Sequence, residues 1–316
     1  MVFARRLRKN HANPSLRSGQ ALKVKPTLEV LAANIVKDMQ MRWQRKSLLF
    51  ILFEILLLFP LFGLESVSIE VNGIIRNAEI YIPSNINNDL LPIVFAFHGH
   101  GGSMKSAALR FHIEMFWPKA IVVYPQGLNT PTNLVDPEGK FPGWQSSIDD
   151  QNGRDIEFFD KLFQYLDSNY SVDKTKIYSI GFSNGAAFTY VLWAARGNVL
   201  AAVAPIAGIL PSKEDRNKLE PKPVFLVAGR KDPLVKFPWQ MEMVNIVLNI
   251  NKCGVGRIIN NNVKEYDSII DAPVKTYINN SGHEIPEESL SYIIEFFKEH
   301  TLHEKSKKPL TNASTL

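Results

Sequence analysis

The sequence predicts an α/β sandwich, with a mostly parallel central sheet, helices on both faces and an antiparallel hairpin at its start. Three observations carry that prediction. Short apolar runs of strand length alternate with segments of helical periodicity through residues 66–300. Asn72-Gly73 joins two extended runs near the beginning. A strand-like run, Ile177-Tyr178-Ser179-Ile180, passes through Gly181-Phe182-Ser183-Asn184-Gly185 into a helical segment.

The elements follow in order. Residues 66–71 alternate polar and apolar, and 74–82 continue as a second extended run. Asn-Gly between such runs marks a tight hairpin, because both turn positions need positive φ. Leu91–Phe97 is a continuous apolar run, as expected of a strand covered on both faces. Residues 104–116 read as a helix and 120–124 as another buried strand. The stretch from Pro125 to about Asn152 is rich in Gly, Pro, Asn and Asp. A connection of that length within a compact domain is usually functional. Ile156, Phe159, Leu162, Phe163 and Leu166 fall on one face of a helix over 154–166. Strands at 176–180, 201–206, 223–228 and 274–278 then alternate with helices at 184–196, 238–250 and 287–299. Residues 301–316 read as a frayed, flexible tail.

Charge divides the chain. Residues 1–46 hold 11 Lys/Arg against 2 Asp/Glu, whereas the rest holds 25 against 29. The net +5 is therefore a property of the N-terminal stretch. The globular part has no basic stripe with interleaved aromatics, which argues against a nucleic-acid partner. A single cysteine, Cys253, excludes an intrachain disulfide and a cysteine-based metal site.

Arg42, Arg45 and Lys46 precede a nearly all-apolar run over 47–64. A basic segment before an apolar one has the form of a secretory signal. The run is also close to the length of a membrane-spanning helix, although Glu54 and Pro60 disfavour a retained span. The expected division is a basic extension over 1–40, a signal peptide or signal anchor over 41–65 and a catalytic domain over 66–300. A signal implies a secreted or periplasmic location. Membrane contact would come only through 47–64, if the signal stays uncleaved.

The G-x-S-x-G form at 181–185 sits between a strand and a helix, the context in which it makes a nucleophile elbow. Ser183 is the candidate nucleophile. Such a serine needs a base, and the base an orienting acid, in the chain order Ser, acid, His. Asp232 lies just past the 223–228 strand, and His283 follows the last strand. Both stand at carboxyl ends of strands, on the same rim as Ser183. The glycine-rich run His98-Gly99-His100-Gly101-Gly102 ends the 91–97 strand and is the candidate oxyanion loop. Its backbone N–H at His100, with Gly101 in reserve, joins that of Asn184 in this assignment. The run lacks the Lys-Ser/Thr ending of a P-loop and the G-x-G-x-x-G spacing. A metal site on His98 and His100 lacks a nearby carboxylate in sequence. Trp144 and Trp239 are candidate pocket walls, with core packing the alternative for each.

Several runs together resemble the secreted α/β-hydrolases of the polyhydroxybutyrate depolymerase-like and feruloyl esterase-like family. They are VFAFHGHGGS (94–103), VVYPQGL (122–128), GW (143–144), RDIEFFDKL (154–162), VDKTKIYSIGFSNGAAFTYVLW (172–193), AGRKDPLV (228–235) and SGHEIP (281–286). The resemblance covers residues 66–300. It implies carboxylic ester hydrolysis through Ser183, Asp232 and His283, with no metal or organic cofactor. Ala186, His100 and Glu284-Ile285-Pro286 depart from the family pattern and bear on acyl specificity. Rival expectations are a peptidase or other acyl hydrolase on the same residues, a non-catalytic binding protein of this fold, or a membrane-tethered scaffold.

Overall fold

A computed structural model describes residues 63–302 apart from 85–88 and 134. The expected basic extension, the signal-like run up to residue 62 and the tail from 303 lie outside the described residues.

The strands β1 (Leu64–Val71) and β2 (Ile74–Tyr81) form the expected hairpin, with Asn72 at φ 51° and Gly73 at φ 80° in its turn. Buried β3 (Leu91–Phe97) leads to α1 (Met104–Phe111), short α2 (Ile113–Phe116) and β4 (Ile121–Pro125). The long connection carries two-residue strands β5 (Leu128–Asn129) and β6 (Pro142–Gly143), paired with each other. Then come α3 (Arg154–Asn169), β7 (Val172–Phe182), α4 (Asn184–Arg196) and β8 (Ala202–Ile206). After α5 (Lys213–Arg216) the chain forms β9 (Val224–Gly229) and α6 (Phe237–Ile250). It closes with β10 (Arg257–Ile258), β11 (Val263–Tyr266), β12 (Val274–Asn279) and α7 (Glu287–Glu299).

The main sheet has ten strands in the order β1-β2-β4-β3-β7-β8-β9-β12-β11-β10. The stretch from β4 to β12 is parallel, and antiparallel pairs flank it on both sides. Alternation along β3 divides the core. Ile93, Phe95 and Phe97 pack on the face that holds α3, α4 and α6. Val94 and Ala96 pack on the face that holds α1, α2 and α7. This is the α/β-hydrolase fold.

The expected helix over 104–116 is divided. His112 adopts the left-handed conformation (φ 30°, ψ 48°) and ends α1. The bend turns the next residues inward. There the Tyr124 hydroxyl accepts the Ile113 N–H at 3.0 Å and donates to Glu114 Oε2 at 2.6 Å. The strands β10 and β11 at one margin of the sheet were not expected, because two and four residues show too little alternation to read.

Candidate active site

The carboxyl ends of β3, β7, β9 and β12 converge on one rim. At the end of β7 the chain reverses into α4 through Ser183, whose backbone (φ 57°, ψ −116°) is strained for a non-glycine residue. Its N–H is anchored to Ile206 O on neighbouring β8 at 2.9 Å. The flanking glycines give clearance. A Cβ at Gly181 would lie 2.1 Å from Gly185 O, and one at Gly185 would lie 2.3 Å from Phe97 O. No side chain fits at either position without moving backbone.

Ser183 Oγ lies 2.8 Å from His283 Nε2, and His283 Nδ1 lies 2.8 Å from Asp232 Oδ2. The carboxylate accepts the Nδ1 hydrogen, so Nε2 carries the lone pair that can take the serine proton. Asp232 is buried. Its Oδ1 accepts the N–H groups of Leu234 and Val235, each at 2.9 Å. Its Oδ2 also accepts from Gln240 Nε2 at 3.1 Å. The Phe182 ring flanks the imidazole with centroids 4.8 Å apart. The structure thus brings together all three residues that the sequence proposed. Gln240 was not foreseen. Its signal in the sequence is a polar residue on the buried stripe of α6, in line with Met243, Val244 and Val247.

The loop after β3 is fixed from several sides. His98 Nε2 accepts the Gly127 N–H at 3.0 Å, so Nδ1 carries the hydrogen and donates to Gly99 O at 2.8 Å. Both ring nitrogens are committed, and burial pushes the His98 pKa down to about 4, which keeps the ring neutral. His100 Nε2 faces Asp136 Oδ2 at 3.0 Å. Burial works against charge on Asp136. The Lys140 and Phe141 N–H groups and the His100 ring outweigh it and hold the carboxyl below its usual range. Gly101 donates its N–H to Pro142 O at 2.7 Å, which removes it as the reserve oxyanion donor. Asn184, the first residue of α4, has an N–H that no intrahelical carbonyl can satisfy. Its side chain is occupied elsewhere: Oδ1 accepts the Trp144 N–H at 2.7 Å, and Nδ2 donates to Trp144 O at 3.0 Å.

These residues open on a cavity of about 1180 Å³ lined by Ser183, His283, His100 and Asn184. Phe182, Phe141, Leu234 and Trp239 give it a largely apolar wall. Trp239 therefore stands where the sequence reading put it. Trp144 does not, and its assignment as a pocket wall is corrected. Its ring is fully buried, edge-on to Phe97 and stacked on Phe188. Its Nε1 donates to His98 O at 2.9 Å. Trp144 braces the loop after β3 from beneath. Behind it, Asp155 ties the connection to the sheet. Its Oδ1 pairs with buried Arg76 of β2 at 2.8 Å, and its Oδ2 accepts the Gln145 N–H at 2.9 Å.

Residues 144–252 match the model of the Dienelactone hydrolase family. The chain is 30% identical over 151 residues to feruloyl esterase D of Neurospora crassa, covering 46% of this chain and 49% of that protein. It is 25% identical over 192 residues to a probable feruloyl esterase C of Aspergillus niger, covering 58% and 64%. The chain thus spans about half to two thirds of the length of these curated relatives. Among solved structures, an acetyl xylan esterase from Aspergillus awamori superposes with a TM-score of 0.54 at 17% identity, over 74% of this chain and 98% of that one. That likeness is one of fold.

Proposed function

We propose that this chain, a feruloyl esterase-like α/β-hydrolase, is a serine carboxylic ester hydrolase whose catalytic residues are Ser183, His283 and Asp232. The observation that carries the reading is the unbroken chain of two 2.8 Å contacts from Asp232 through His283 to Ser183, at the mouth of an apolar cavity. In the proposed reaction His283 Nε2 takes the Ser183 proton as Oγ attacks the ester carbonyl carbon. Asp232 holds the imidazole in the tautomer that makes this possible and stabilises its positive charge. Negative charge collects on the former carbonyl oxygen against the N–H groups of His100 and Asn184. His283 then protonates the leaving alcohol. Water, deprotonated by the same nitrogen, attacks the acyl-serine and releases the acid.

The large apolar cavity and the half-exposed Trp239 favour an aromatic acyl group of feruloyl type, with hydroxyalkanoate esters second. Residues 66–300 form the catalytic unit in this reading, and the signal-like run directs export. Among the described residues, no helix is long and apolar enough to cross a membrane. The test sets short-chain p-nitrophenyl esters and methyl ferulate against the wild type and Ser183→Ala. The wild type should hydrolyse both, and the variant, equally folded by circular dichroism, should lose at least about 10³-fold in kcat. A folded wild type that turns over neither ester would overturn the esterase reading. Activity surviving in the variant would overturn the role of Ser183.

A further inference from the structure

We infer that Gln240 is a positioning residue for the proposed acid, acting through Asp232 on the basicity and orientation of His283; this rests on the reading of Ser183, His283 and Asp232 above. Gln240 lies on the first turn of α6, 3% exposed, in a row otherwise apolar. Its Nε2 donates to Val235 O at 2.6 Å and to Asp232 Oδ2 at 3.1 Å. Its Oε1 is buried and has no hydrogen-bond partner among the described residues. A bare buried acceptor is unfavourable, so packing alone would be served better by methionine or leucine. The amide is used solely through its donors, and both donors go to the Asp232 turn.

That arrangement has a directional effect. Asp232 Oδ2 receives both the His283 and the Gln240 hydrogens, while Oδ1 receives two backbone N–H groups. Four donors fix the plane of the carboxylate. Val235, whose N–H reaches Oδ1, also offers its carbonyl to Gln240, so a single amide holds both the turn and the carboxylate. Without Gln240 three donors remain on the carboxylate, one of them on Oδ2, and its plane is held less tightly. The charge on Oδ2 is then dispersed over one donor fewer, and it holds an imidazolium more firmly.

The test compares the wild type with Gln240→Met and Gln240→Glu, with rates expressed per active site titrated by burst kinetics. In Gln240→Met, kcat should fall about 10-fold, the scale of one hydrogen bond to a charged group, with KM for a short-chain ester changed less than about twofold. The acid limb of kcat/KM should move to higher pH in Gln240→Met and less in Gln240→Glu, whose buried carboxyl would hold a proton beside Asp232 and donate in the amide's place. A purely structural glutamine would lower the melting temperature and leave both the per-site kcat and the acid limb at wild-type values. That result would overturn the proposal. The His283 imidazole titration, followed by NMR, decides the matter without any ester. An upward displacement of its midpoint in Gln240→Met supports the positioning role even if the wild type hydrolyses no ester tried, and an unmoved midpoint refutes it.

Discussion

Trp239 stands 40% exposed on the first turn of α6 with its ring at the cavity, whereas Trp144 is closed off between Phe97 and Phe188. The two residues should respond oppositely to truncation. Trp239→Ala should raise KM for an aryl ester about 2- to 10-fold, the worth of one aromatic contact, and change stability by less than about 0.5 kcal/mol. Trp144→Ala should cost about 3–5 kcal/mol, because it empties a packed site and strips His98 O of its donor. Urea denaturation and aryl-ester kinetics on both variants check this; a Trp144 variant as stable as the wild type would contradict it. The sequence alone did not separate the two tryptophans, since burial of a loop residue depends on what folds over it. The juxtaposition of Ser183, Asp232 and His283 was legible for the opposite reason. Serine nucleophile chemistry admits few side-chain types, and strand ends in a parallel sheet gather on one rim. Gln240 escaped because an amide among apolar neighbours acquires meaning only from the carboxylate it meets.

At the scale of elements, the loop leaving β3 depends on a neutral histidine. His98 titrates near 6.5 in an open chain and near 4 when buried in the fold. Between those values the unfolded chain binds a proton that the folded chain does not. Stability therefore falls as pH drops through this window, by as much as about 3 kcal/mol once pH is below both values. Chemical denaturation midpoints measured from pH 7 to pH 4 should decline accordingly. His98→Gln should be less stable at neutral pH but lose this part of the slope; an unchanged slope would contradict the assignment. The long, helix-forming and strand-forming segments were legible from their periodicity. The break at His112 was not, because a left-handed histidine carries no pattern of its own and the bend serves a buried contact with Tyr124 on the next strand. The strands β10 and β11 were hidden by their brevity.

Across the whole molecule, the proposed site is a property of strand order. β9 and β12 are neighbours in the sheet, paired in parallel from Val224↔Val274 to Gly229↔Asn279, and so carry Asp232 and His283 side by side. On its other flank β12 meets the four-residue β11, itself next to the two-residue edge strand β10. The margin that carries His283 is thus thinner than the centre of the sheet that carries Ser183. In rising urea, ester turnover should disappear before the fluorescence of the buried tryptophans reports loss of the core; coincident curves would contradict this order. The parallel core was legible because strand and helix alternate through 66–300, while the sheet's outer margin became visible only through its pairing. The same layout sets a schedule for synthesis. His283 leaves the ribosome 100 residues after Ser183, about 5–20 s later at ordinary elongation rates. Until then, in the proposed reaction, the emerging chain holds a serine without its base. Hydrolytic competence would arrive as the final act of folding, and a stalled or shortened chain would be chemically silent.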